Sequence, residues 1–212
     1  MLDFEVIPWI VITLVILFQH FYYFKPGNVF GYTIAIFLAL FVVDLISGFI
    51  HIFLDRYDGE DPLIKPLAED FQRHHDHPGD FAILETNIGV IRDSLKAGRI
   101  LAIPGLVWIF LIFVLKDSPF ISYFTLFSVL WCIIVPFAQV SHRLSHVMVH
   151  DPPPKNSTYF IVLNFLQKNG VLLNPEFHKK HHKINDKHWP VFNGWSSNLI
   201  DFLFRVTPFF MR

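Results

Sequence analysis

Four stretches of the chain are apolar over lengths that suit a bilayer, and the segments between and after them are polar and charged. Residues 6–24 are broken only by Thr13, Gln19 and His20, close to the ~20 residues that span a hydrocarbon core. Lys25-Pro26-Gly27-Asn28 then reads as a tight turn into residues 29–54, where Asp44, Ser47, Gly48 and His51 stand out within a second span. Residues 100–115 form a third run, short for a span and containing Pro104, hence a short span or a re-entrant piece. Residues 120–140 form a fourth, with Pro136 expected to kink its end. Asp3 and Glu5 occupy the place of a positive n-region, which disfavours a signal peptide as the reading of the first run. The pattern predicts an all-α fold: a multi-pass membrane helical bundle of about four spans, with residues 1–212 as one domain.

The polar segments carry most of the charge. Of the 17 lysines and arginines, all but Lys25 and Lys116 lie in residues 55–99 or after Val140, so the positive-inside rule places those segments on the cytoplasmic side. That side faces the cytoplasm from the endoplasmic reticulum in a eukaryote, or from the inner membrane in a bacterium. Residues 55–99, broken by several prolines and glycines, read as a long functional loop. Asp151-Pro152-Pro153-Pro154 ends the fourth helix. Ser157 or Thr158 caps an apolar segment over 159–166, and Asn174-Pro175-Glu176 reads as N-cap, N1 and N2 of a further helix. Residues 198–211 look interfacial rather than spanning.

Composition sharpens this picture. The chain is 53% hydrophobic and only 17% charged, against about 25% charged in soluble domains, and its net charge of -1 with no basic arm gives no sign of nucleic acid. One cysteine, Cys132, lies inside an apolar run, which leaves no disulfide framework and no thiolate metal site. Twelve histidines are the unusual feature. His142 and His146 are four apart, and His178, His181 and His182 are three and four apart, spacings that put each set on one helix face. With His51, His74 and His75 they make eight candidate ligands, twice the need of one closed tetrahedral site and better suited to two metal ions with open positions. Imidazole suits iron, zinc and copper alike. An ionisable residue in a span needs a partner, and Asp44 and Asp55 are candidates to support ligating histidines, with Glu85, Asn87 and His188 as further supports. His20, His77 and His150 are expected to be bystanders.

Other chemistries fit less well. A metalloprotease would want His-Glu-x-x-His, but Arg143 stands in the glutamate's place. A haem protein would leave most of the histidines unused. A histidine-rich metal carrier would place ligands within the spans, whereas these gather at the spans' ends. A redox metal pair at a membrane face could remove hydrogen from a lipid chain, chemistry that no side chain supplies.

The segments DLISGFIHIFLDR (44–56), RHH and ETN within 71–87, AQVSHRLSH (138–146) and LLNPEFHKKHH through NGW (172–195) resemble the Kua-type lipid desaturase family over roughly residues 40–200. The resemblance implies a membrane oxidoreductase with two iron ions, O2 as co-substrate and the eight histidines as ligands. It implies desaturation of a phospholipid-linked chain, most directly conversion of plasmanylethanolamine to its vinyl ether, with an acyl desaturase or a hydroxylase as the alternative. The family includes a plant plastid desaturase acting on phosphatidylglycerol. Leu144 stands where animal members commonly carry tryptophan, and His188 does not align cleanly with a family histidine. No flavin or nicotinamide fingerprint is present, so electrons must come from a donor such as cytochrome b5 or a ferredoxin, to which Lys168, Lys179, Lys180, Lys183 and Lys187 offer a basic face.

Overall fold

The structure is a computed structural model that describes residues 6–62, 64–83, 98–184 and 187–206. Every regular element among the described residues is a helix: α1 (Ile7–Tyr23), α2 (Val29–Arg56), α3 (Lys65–Asp76), α4 (Pro78–Ile83), α5 (Gly98–Val114), α6 (Ile121–His150), α7 (Thr158–Lys168), α8 (Pro175–Lys183) and α9 (Ser197–Val206). Two of them, α2 and α6, are long and apolar enough to cross a membrane, while α1 and part of α5 are shorter apolar helices. Pro136 lies inside α6, which continues to His150 and carries His142 and His146. The polar stretch after α2 is less irregular than its prolines suggest. Pro66 sits in the first turn of α3, where a missing N–H costs nothing, so it starts a helix instead of breaking one.

The chain divides into two compact units, Met1–Val43 with Thr86–Phe137, and Asp44–Glu85 with Ala138–Arg212. The first unit is a helical cluster with an aromatic centre. Trp131 packs between Trp9 and Trp108, with ring centroids 5.8 Å apart in both pairs. Gly105 lets α5 approach α1 closely, since a Cβ there would lie 2.6 Å from Ile12. His20 faces Thr125 at 2.9 Å within this unit.

The second unit contains the candidate chemistry. Its helix starts follow local capping rules: Ser157 accepts from the Phe160 N–H, and Asn174 accepts from the N–H groups of Glu176 and Phe177 ahead of Pro175. Its core includes Ile52, Trp189, Ile200 and Phe204. Side chains of α2 and α6 fasten the segment that precedes α9. The fully buried Asp44 carboxylate accepts four hydrogen bonds, from the N–H groups of Asn193 and Gly194 at one oxygen and from Ser196 N–H and Oγ–H at the other. Ser47 accepts from Val191 N–H, and Ser141 donates to the Phe192 carbonyl while accepting from Leu173 N–H. Gly194, at φ 84, makes the turn that aims these donors at Asp44.

Removing Asp44 strands several buried donors, each costly when left unpaired. Asp44→Ala is therefore expected to destabilise the protein by on the order of 3 kcal/mol, a fall in Tm of roughly 6–12 °C. Thermal unfolding of the detergent-solubilised variant checks this, and Asp44→Asn, which keeps one acceptor oxygen, should lose less.

Candidate metal centre

Four helices of the second unit bring the histidines together. The end of α2 supplies His51 and Asp55, the last turn of α3 supplies His74 and His75, α6 supplies His142 and His146, and α8 supplies His178, His181 and His182. They form two groups in which each residue's candidate ligand atom lies within 4.8 Å of the others: His74, His142, His146, His178 and His182, and His51, Asp55, His75 and His181. The groups adjoin, with the rings of His74 and His75 4.5 Å apart and those of His75 and His182 4.4 Å apart.

The five-histidine group has the spacing of a coordination polyhedron. Nε2 of His178 lies 2.9 Å from Nε2 of His142, 2.9 Å from that of His146 and 3.0 Å from that of His182, and the His142–His146 pair is 3.3 Å apart. Ligand nitrogens about 2.0–2.1 Å from one ion would be separated by roughly 3.0–3.4 Å, so these edges match. Hydrogen bonding alone cannot satisfy the trio of His142, His146 and His178. A ring nitrogen either carries a proton or presents a lone pair, so among three mutually adjacent nitrogens at least one pair must face like to like. A cation at the centre removes that conflict.

The second group shows the same need by a different route. Nδ1 of His51 lies 2.9 Å from the Trp189 carbonyl, and Nδ1 of His181 lies 2.8 Å from the Lys187 carbonyl. A carbonyl only accepts, so both Nδ1 atoms carry a proton, and in the neutral, metal-competent ring Nε2 is the atom that presents the lone pair. Those lone pairs are buried without a hydrogen-bond partner, and they face Asp55 Oδ2 at 3.2 Å and 3.5 Å. His75 Nε2 reaches the same oxygen at 2.9 Å. Lone pairs and a carboxylate turned toward one another repel unless positive charge lies between them. The residues present therefore fit a metal ion, with an all nitrogen and oxygen donor set that suits a borderline divalent metal such as iron or zinc.

Burial favours the neutral, ligand-competent form of His74, His178, His181 and His182. Desolvation, reinforced by the neighbouring imidazoles His51 and His75, lowers the His74 pKa far below 6.5. Desolvation, then His142 and His146, lowers that of His178 well below it. Desolvation, then His74 and His75, does the same to His182. His181 falls only to about 4: burial and His51 push it down, while Asp55 and the Lys187 carbonyl hold it up.

The remaining site expectations find other surroundings. Asp44 is engaged with the 193–196 turn described above, so it supports backbone and not a histidine ring. Asp55, expected as a support to a ligand, instead places its own carboxylate among three imidazoles. His188 adopts a left-handed backbone at φ 64, donates its N–H to Asp201, and packs against Phe177 with centroids 4.3 Å apart and ring planes tilted by 55°. Glu85 and Asn87 lie outside the described residues. His77 caps α3 through its backbone N–H. His150 is exposed, its ring 6.1 Å from that of His146. What sequence reasoning missed is the pair of orienting carbonyls at Trp189 and Lys187, which carry no side-chain signal. The Trp189 ring is also buried against the rings of His181 and His51, at 4.7 and 6.0 Å.

Residues 40–207 match the family described as the lipid desaturase domain. No curated protein and no solved structure matches the chain.

Asp55→Ala is expected to lower bound metal from about two ions per chain to about one, because it removes the only anionic donor of its group. Elemental analysis of purified protein checks this, with His188→Ala and His20→Ala as variants that keep the full complement.

Proposed function

The chain belongs to the lipid desaturase family, and from that premise we propose that it is a membrane di-iron lipid desaturase. The observation that carries the reading is the adjoining pair of buried donor groups, one of five imidazoles and one of three imidazoles with a carboxylate. Their ligands are His51, His74, His75, His142, His146, His178, His181 and His182, with Asp55 as a ninth. Two iron ions held there would supply the O2-dependent removal of two hydrogens that side chains cannot perform. In sum, a –CH2–CH2– unit, O2, two electrons and two protons give –CH=CH– and two waters.

The chain's own residues then have three tasks. The backbone carbonyls of Trp189 and Lys187 fix which nitrogen of His51 and His181 faces the centre. Burial holds His74, His178, His181 and His182 neutral and limits water around them. The lysines of α8 serve delivery of electrons: Lys179 and Lys183 line a cleft of about 170 Å³ that reaches His146, His178 and His182, and with Lys168 and Lys180 they are exposed. That arrangement supports docking of an acidic one-electron carrier such as cytochrome b5 or a ferredoxin. The concentration of lysine and arginine in residues 55–99 and after Val140 supports a cytoplasmic site. α1 and α5 join α2 and α6 as membrane spans in this reading. At 17 residues each, these two are about 26 Å long, near the ~30 Å of a bilayer core.

The substrate in this reading is the O-alkyl chain of an ethanolamine phospholipid. Expression in cells supplied with alkyl-ether lipids should produce an ethanolamine phospholipid two hydrogens lighter, with an acid-labile vinyl ether. A hydroxylated lipid, or a new double bond confined to an acyl chain, would contradict that assignment. Charge reversal at Lys179 and Lys183 together should cut donor-supported turnover about tenfold or more at low salt and flatten its salt dependence, while leaving metal content unchanged.

A further inference from the structure

α7 has its polarity reversed. Tyr159, Ile161, Val162 and Phe165 are exposed, Phe165 to 62%, while the polar Gln167 is only 2% exposed. A helix facing water places such residues the other way round, and contiguous exposed apolar surface marks an interaction face. The inner side is fixed to the histidine-bearing helix: Gln167 Nε2 donates to the Leu144 carbonyl, between His142 and His146 on α6, at 3.4 Å.

Several observations say what covers the outer side. α7 has 11 residues and so is about 16 Å long, half of a ~30 Å hydrocarbon core, which rules it out as a span. It follows α6, one of the two helices long and apolar enough to cross a membrane, after residues 151–157. Exposed Lys168 closes its apolar stretch, as suits a side chain reaching lipid phosphates. Past its end, Gly170 abuts Trp195, whose Nε1 lies 3.3 Å from where a Cβ would stand. Trp195 leads into α9, where Leu199, Phe202 and Val206 form a second exposed apolar stripe.

We propose that α7 lies flat in the interface of a phospholipid bilayer, its Ile161 and Phe165 face in the acyl-chain region, with the Phe202 stripe of α9 in the same layer. This deepens the lipid desaturase reading, on which it rests for the meaning of the contact. Because α7 is bonded to α6 between two candidate ligands, it sets the depth at which His142 and His146 stand relative to lipid chains.

The test reads membrane depth and no activity, so its failure is distinguishable from failure of the desaturase assignment. The one cysteine, Cys132, is replaced by alanine, and single cysteines are placed at Ile161, Phe165, Phe202 and, as a water-facing reference, Lys155. Each is labelled with bimane and reconstituted in phosphatidylcholine vesicles with and without 5-doxyl phosphatidylcholine. At 161, 165 and 202 the doxyl lipid should quench several-fold more than aqueous iodide, with the order reversed at 155. Preferential quenching by iodide at 165 would overturn the proposal. So would protection from both quenchers together with cross-linking between copies, which would make the face a contact with a second copy of the chain.

Discussion

Lone pairs that converge in a buried space repel one another, and the second unit is organised around that problem. Eight imidazoles and one carboxylate point their donor atoms inward from α2, α3, α6 and α8, at separations near 3 Å. Protons cannot resolve the arrangement, because three mutually adjacent ring nitrogens cannot all pair donor with acceptor and because His51 and His181 already spend their protons on backbone carbonyls. Cations can. The same burial that makes the repulsion severe also depresses the pKa values of His74, His178, His181 and His182, so these rings are preset to bind metal in place of a second proton.

This requirement reaches outward through the backbone. The carbonyls that orient His51 and His181 belong to residues 187–189, a segment without regular structure. The chain that follows it, residues 191–196, is held by polar groups on the two long helices: Asp44 and Ser47 on α2, and Ser141 on α6. Asp44 is thus a buried charge satisfied entirely by donors from one short stretch, four hydrogen bonds within residues 193–196. A fully hydrogen-bonded carboxylate of this kind specifies one placement of the chain and tolerates few others.

Much of this was legible in the sequence, and the limits are physical. The spacings of His142/His146 and His178/His181/His182 read directly as helix faces, and Asn174-Pro175 and Ser157 announced their helix starts, because capping is a local interaction. The His51 and Asp55 spacing of four was visible too, but not that the carboxylate would stand among three imidazoles, since two of those come from α3 and α8. Asp44 and His51 share a face by period, yet Asp44 serves a turn some 150 residues away. Pro66 read as a breaker, and it instead opens α3. The orienting carbonyls at Trp189 and Lys187 had no signal at all, because any residue offers a backbone oxygen.

The central claim is that one chain holds two metal ions through imidazole nitrogen with one carboxylate. Iron K-edge X-ray absorption on active, iron-loaded protein tests it most directly. The expected spectrum has a first shell of nitrogen and oxygen only, the outer-shell scattering of about four imidazoles per iron, and a resolved iron–iron vector. Fully active protein with a single metal ion per chain, or a spectrum without the imidazole pattern, would contradict it.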